Sequence, residues 1–177
     1  MKSKKTILYV AAFLILFASF LAVLGNWLEE KYGGLNHQDD LKKSTVQIIE
    51  AMYPCLPSPR DYEIGIVTHV IDGDSIRVML DGSEYELRYI GIDAPEMFGE
   101  NSLAGRESKA VNQALVDGRE VVLFRDFSET DRYGRLLRYV FVETDFINYR
   151  LVKEGWAMAK SYPPDIACQN VLYSAGQ

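Results

Sequence analysis

The chain has 177 residues, 48% of them hydrophobic and 25% charged, with a formal net charge of −6. This is the composition of a folded protein, and the length suits one domain of about 100–150 residues plus an appendage. From Asp61 onward 12 basic face 20 acidic side chains, a formal −8, which excludes long-range capture of a polyanion and leaves any such contact to a local basic site. Cys55, Cys168, His37 and His69 fall in no zinc-binding spacing, so zinc and histidine-based chemistry have no support.

Residues 1–5 form a basic tip, with Lys2, Lys4 and Lys5 ahead of an uncharged apolar run over residues 6–25. About 20 such residues at 1.5 Å rise span a ~30 Å hydrocarbon core, which predicts a single transmembrane anchor. The lysines place the amino terminus in the cytoplasm and the rest of the chain outside it. A cleaved signal peptide is the alternative; its apolar region is normally shorter and ends in an Ala-x-Ala-like site, against which Val23-Leu24-Gly25 is weak. Either leads to the same side of the membrane. Residues 26–61 read as a juxtamembrane linker with one helix, Asp40 to Met52, carrying a short apolar stripe of Ile48, Ile49 and Met52 and ended by Pro54, Pro57 and Pro59.

A domain is expected over 62–177. From Tyr62 the pattern has period two, running to Val70-Ile71 and an Asp-Gly-Asp turn. Ser75 to Leu80 is a second strand, closed by the Asp81-Gly82 hairpin signal, and Tyr85 to Ile92 is a third. Leu103 to Val116 is an amphipathic helix stopped by Gly118, Glu120 to Phe124 and Leu136 to Val142 are two further strands, and Ile147 to Glu154 is a helix ended by Gly155. Five strands with a helix after the third predict a small closed Greek-key barrel of the oligonucleotide/oligosaccharide-binding type, an α+β arrangement.

Acids and arginines collect at the ends of these strands. Asp72 and Asp74 are two apart and lean to one face in an extended segment; Asp93 and Glu96 flank Pro95. A hard cation such as Ca²⁺ takes six or more oxygens, which Asp74, Asp93, a carbonyl and waters can supply. Taken alone, Asp-Gly-Asp is more simply an Asx turn, and an EF-hand is excluded because Ser83 stands where the twelfth-position Glu is required. Arg88, among apolar neighbours, needs a carboxylate or a phosphate as partner. Arg132, Arg135 and Arg138 form a dense basic cluster, with Tyr133 able to stack a base.

Ile-Asp-Gly-Asp-Ser, Leu-Arg-Tyr-Ile-Gly-Ile-Asp-Ala-Pro-Glu, Asp-Arg-Tyr-Gly-Arg and Asn-Tyr-Arg-Leu-Val-Lys-Glu-Gly-Trp-Ala together resemble the staphylococcal nuclease (thermonuclease) family in order and spacing, over roughly Tyr62 to Pro164. The resemblance implies Ca²⁺-dependent hydrolysis of DNA and RNA to 3′-phosphates, with single-stranded or unwound substrate preferred and weakly held. It implies that Asp74 and Asp93 ligate calcium with the Ala94 carbonyl (threonine is usual there), and that Asp72 holds a metal-bound water. Glu96 takes the general-base position, Arg88 and Arg135 grip the phosphate, and Arg132, Tyr133 and Tyr162 line the nucleotide pocket. Two departures stand out. The family's long terminal helix is expected to be shortened here, and Cys55 and Cys168 flank the matched region, where they form either a disulfide or two free thiols. A catalytically silent nucleic-acid- or protein-binding barrel, and a calcium-stabilised structural domain, are the competing readings. No protein partner follows from the residues.

Overall fold

A computed structural model describes residues 17, 19–24, 26–27, 37–57, 62–97 and 102–177. Residues 1–5 and most of the apolar 6–25 run lie outside the described residues. Among those described, no helix is long and apolar enough to cross a membrane.

The elements in chain order are α1 (His37–Met52), β1 (Tyr62–Val70), β2 (Ser75–Leu80), β3 (Ser83–Tyr89), β4 (Ile92–Asp93) and α2 (Ser102–Val116). They continue with β5 (Glu120–Phe124), β6 (Leu136–Val142), β7 (Asp145–Phe146), α3 (Ile147–Lys153), β8 (Met158–Ala159) and α4 (Gln169–Ala175). The large sheet runs β3-β2-β1-β5-β6-β7, and a parallel pairing of β3 with β6 closes five of its strands into a barrel. Alternation drives this: β2 buries Ile76, Val78 and Leu80 while Arg77 and Met79 face out, the period-two pattern of a sheet with one wet face.

The expected third strand, Tyr85 to Ile92, is in fact two. β3 ends at Tyr89, and Gly91 takes φ +77°, a left-handed conformation that a side chain strongly disfavours. Leu172 of α4 occupies the space where a Cβ would stand, 2.4 Å from it. The chain therefore leaves the barrel, and β4 pairs with β8 instead, setting Asp93 opposite Met158.

One of the two compact units of the chain spans Thr45–Gln177, so residues ahead of Tyr62 pack with the strands. Val46, Ile49 and Leu56 are buried in the same apolar cluster as the barrel side chains, and Tyr53 meets Phe141 and Phe146 at centroid distances of 5.4 and 5.1 Å. Of the stripe expected on α1, only Ile49 is inside; Ile48 and Met52 are exposed and Val46 takes their place. Cys55, just after α1, is disulfide-bonded to Cys168 at the start of α4, closing a sequence separation of 113.

Candidate active site

The Asp72–Asp74 turn is built first by its own backbone. Asp72 Oδ1 accepts the Asp74 N–H at 3.0 Å, the Asx geometry that suits a short carboxylate, while Ile71 and Asp72 N–H donate to the Ser75 carbonyl. Buried Asn112 of α2 donates to the Asp72 carbonyl at 2.9 Å and accepts from the Tyr89 hydroxyl at 3.0 Å. Four residues earlier, Ser108 donates to the Trp156 carbonyl at 2.8 Å. At Gly105 the helix lies so close that a Cβ would sit 2.2 Å from the Glu96 carbonyl oxygen. One face of α2 thus grips the acidic turn, the Glu96 segment and the strand leading into β8.

Asp74 is 1% exposed. Its Oδ2 accepts the Ala94 N–H at 2.5 Å and its Oδ1 meets the Arg88 guanidinium. Arg88 also donates to Asp93 Oδ1 at 2.8 Å and to the Ile92 carbonyl at 3.4 Å. Two carboxylates therefore converge on one guanidinium. Asp93 is further held by Lys160 Nζ at 2.8 Å on Oδ2 and by the Tyr162 hydroxyl at 3.3 Å on Oδ1. Burial pushes the Asp93 carboxyl up, but the Lys160 bond and the Arg88 charge outweigh it and hold it below its ordinary value. For Asp72 burial wins and raises the carboxyl, against the Ser75 bond and the charges of Arg88 and Arg135.

Arg135 arrives from the β5–β6 loop. Asp131 Oδ1 accepts the N–H groups of Tyr133 and Arg135 at 2.9 and 3.0 Å, and Oδ2 takes the Arg135 side chain at 2.8 Å. Arg132 donates to the Tyr133 hydroxyl at 2.6 Å with its guanidinium 4.7 Å from the ring centroid. Tyr133 is 69% exposed, leaving ring surface for a stacking partner. Arg138 does not join them. It is 1% exposed and is paired with Glu63 and Glu129, so the basic cluster read from the sequence reduces to Arg132 and Arg135. The Arg138 guanidinium also donates to the Glu129 and Leu137 carbonyls at 3.0 and 2.9 Å, which fixes it away from Arg132 and Arg135.

Glu96 is exposed and makes no hydrogen bond or ion pair to a described residue. With Asp93, Ala94, Trp156 and Met158 it lines a groove of about 260 Å³. Asp131, Lys160 and the α2 face carry weight that sequence reasoning missed. Asp131 had a signal, an Asp followed by Gly three residues on, which is turn chemistry. Lys160 had none, since only β4–β8 pairing brings it to Asp93.

Among the described residues no group of three or more His, Cys, Asp or Glu side chains lies close enough to share a metal ion. The converging pair Asp74 and Asp93 nevertheless suits a hard divalent cation, because both are oxygen donors and such ions complete their shell with carbonyl and water oxygens.

The chain is 39% identical over 112 residues to "Thermonuclease" of Staphylococcus hyicus, covering 62% of this chain and 66% of that one. It is 37% identical over 103 residues to "Thermonuclease" of Staphylococcus intermedius, 56% and 61%. To "Endonuclease YncB" of Bacillus subtilis (strain 168) it is 37% identical over 100 residues, 54% and 47%. The matches thus span about half to two thirds of these relatives. The family described as "Staphylococcal nuclease homologue" matches residues 86–176, a stretch that takes in Arg88, Asp93, Glu96, Arg135 and Tyr162, and the chain belongs to that family.

Proposed function

We propose that the protein is a calcium-dependent nuclease that hydrolyses DNA and RNA to 3′-phosphate products outside the cytoplasm. The observation carrying this reading is the meeting of Asp74 and Asp93 on Arg88, with Asp72 in the field of both Arg88 and Arg135. Asp74, Asp93 and the Ala94 carbonyl would hold calcium, and Asp72 would support a water beside it. When bound, calcium supplies Lewis-acid stabilisation of the phosphoryl oxygens. Arg88 and Arg135 bind the phosphate and offset charge that builds in the transition state. Arg88 can do so without leaving the acids, since a guanidinium has five N–H donors and only some are used here. Glu96, free to accept, takes a proton from the attacking water. The water oxygen bonds to phosphorus, the P–O5′ bond breaks, and the leaving 5′ oxygen takes a proton from solvent, giving a 3′-phosphate and a 5′-hydroxyl. Arg132, Tyr133 and Tyr162 line the nucleotide site, where stacking tolerates any base. The acidic domain keeps the hold on substrate weak.

Residues 6–25 act as the membrane anchor in this reading, with the domain on the far side; the lysine flank and the Cys55–Cys168 bond favour it. Protease added outside intact cells should digest the domain, and protection of it would sink the placement. For the chemistry, plasmid and RNA digestion should require calcium and stop on chelation. Glu96→Gln and Arg135→Ala should each lower kcat by about 10²-fold or more. Full cleavage without calcium, or oligonucleotide binding with no cleavage at millimolar calcium, would refute it.

A further inference from the structure

Asp93 carries two cationic partners, and they differ in how firmly they are placed. Arg88 is 19% exposed and bridges to Asp74 as well. Lys160 is 50% exposed; its Nζ donates to Asp93 Oδ2 at 2.8 Å and stands 5.2 Å from the Tyr162 ring centroid. Its backbone is fixed: β8 pairs with β4, and the Lys160 N–H donates to the Gly91 carbonyl at 2.9 Å. The ammonium is therefore delivered to Asp93 by strand pairing, on a flexible four-carbon stem that can swing into water. Tyr162, the remaining partner of Asp93, is a neutral hydroxyl donor.

We propose that Lys160 is a built-in competitor for the divalent cation, holding Asp93 Oδ2 and thereby setting the cation concentration at which the site fills. This rests on the reading of Asp74 and Asp93 as the cation-binding pair. A cation reaching Asp93 meets an oxygen already bonded to Lys160 and a positive charge beside it. Either the ammonium leaves, losing its partner, or it stays and repels the newcomer. Both weaken binding, and both act through charge, so the competition is screened by salt.

The experiment is calorimetric titration of the full-length chain in detergent with calcium chloride alone, which reads affinity without any cleavage. Lys160→Met keeps most of the side chain's apolar stem and removes its charge. It should tighten calcium binding by about threefold to fivefold, the upper part of the range for one partly exposed charge interaction, with the gain shrinking as salt is raised. Lys160→Arg keeps the charge and should stay within about twofold of wild type on the same grounds. Asp93→Asn should weaken binding. If Asp93→Asn weakens binding while Lys160→Met leaves it unchanged or weaker, the competitor role is overturned and the calcium site stands. If neither wild type nor Lys160→Met binds calcium, both fall together.

Discussion

Asp131 and Asp93 each hold a cation of the site in place by hydrogen bonds as well as by charge. Asp131 does so with two backbone N–H groups and the Arg135 side chain on one carboxylate, so a five-residue turn delivers a guanidinium without relying on a long, floppy stem. Burial raises this carboxyl, but the Arg135 bond and the two N–H donors outweigh it and hold it below its ordinary value. A depressed carboxyl stabilises the fold when ionised. That contribution is complete above about pH 3.9 and is lost as pH falls through the lower folded value. Asp131→Asn should therefore cost about 1–2 kcal/mol near neutral pH, with the gap to wild type narrowing as pH falls below the ordinary Asp value. Urea unfolding at pH 7 and pH 3 checks this; a gap of equal size at both would contradict it.

At the scale of elements, α2 matters more than its distance from the chemistry suggests. An Ala at an exposed glycine in a helix normally stabilises by about 1 kcal/mol. At Gly105 the same change pushes a methyl into the Glu96 carbonyl and must move the segment that carries the proposed base. Gly105→Ala should lower kcat by about tenfold or more, with a smaller change in KM, since displacements of ~1 Å at a reacting group are that costly. Steady-state kinetics tests it, and an unchanged kcat would refute it. The barrel strands were legible in the sequence because alternation and punctuation agree: Ser75 to Leu80, Glu120 to Phe124 and Leu136 to Val142 match their observed bounds. The break after Tyr89 was not, because Leu-Arg-Tyr-Ile-Gly-Ile reads as one apolar run. What ends it is the Leu172 contact at Gly91, a tertiary event. The acids and arginines were legible as residues, while their mutual pairing and the role of Lys160 depend on β4–β8 register, which no local pattern encodes.

For the whole molecule, the Cys55–Cys168 bond joins the segment after α1 to the start of α4. Replacing both cysteines by Ser should cost about 3–4 kcal/mol, the scale for a crosslink closing a long loop. A fragment beginning at Asp61 loses Val46, Ile49 and Leu56 from the core as well as Cys55, and should be less stable than the double-Ser variant. Denaturant midpoints of the three proteins, with the order full chain, double-Ser, fragment, check this; a fragment as stable as the full chain would disprove it. The closure of the barrel has a consequence of another kind. Arg88 lies in β3 and pairs in register with Leu137 of β6, while Arg135 immediately precedes β6. The parallel pairing that seals the barrel is therefore also what brings both arginines within the field of one acid, Asp72. In a chain whose ends of the sheet have not met, the acidic turn can form locally but half of the proposed phosphate grip is elsewhere. In the proposed reading, chemical competence is in this way tied to completion of the fold.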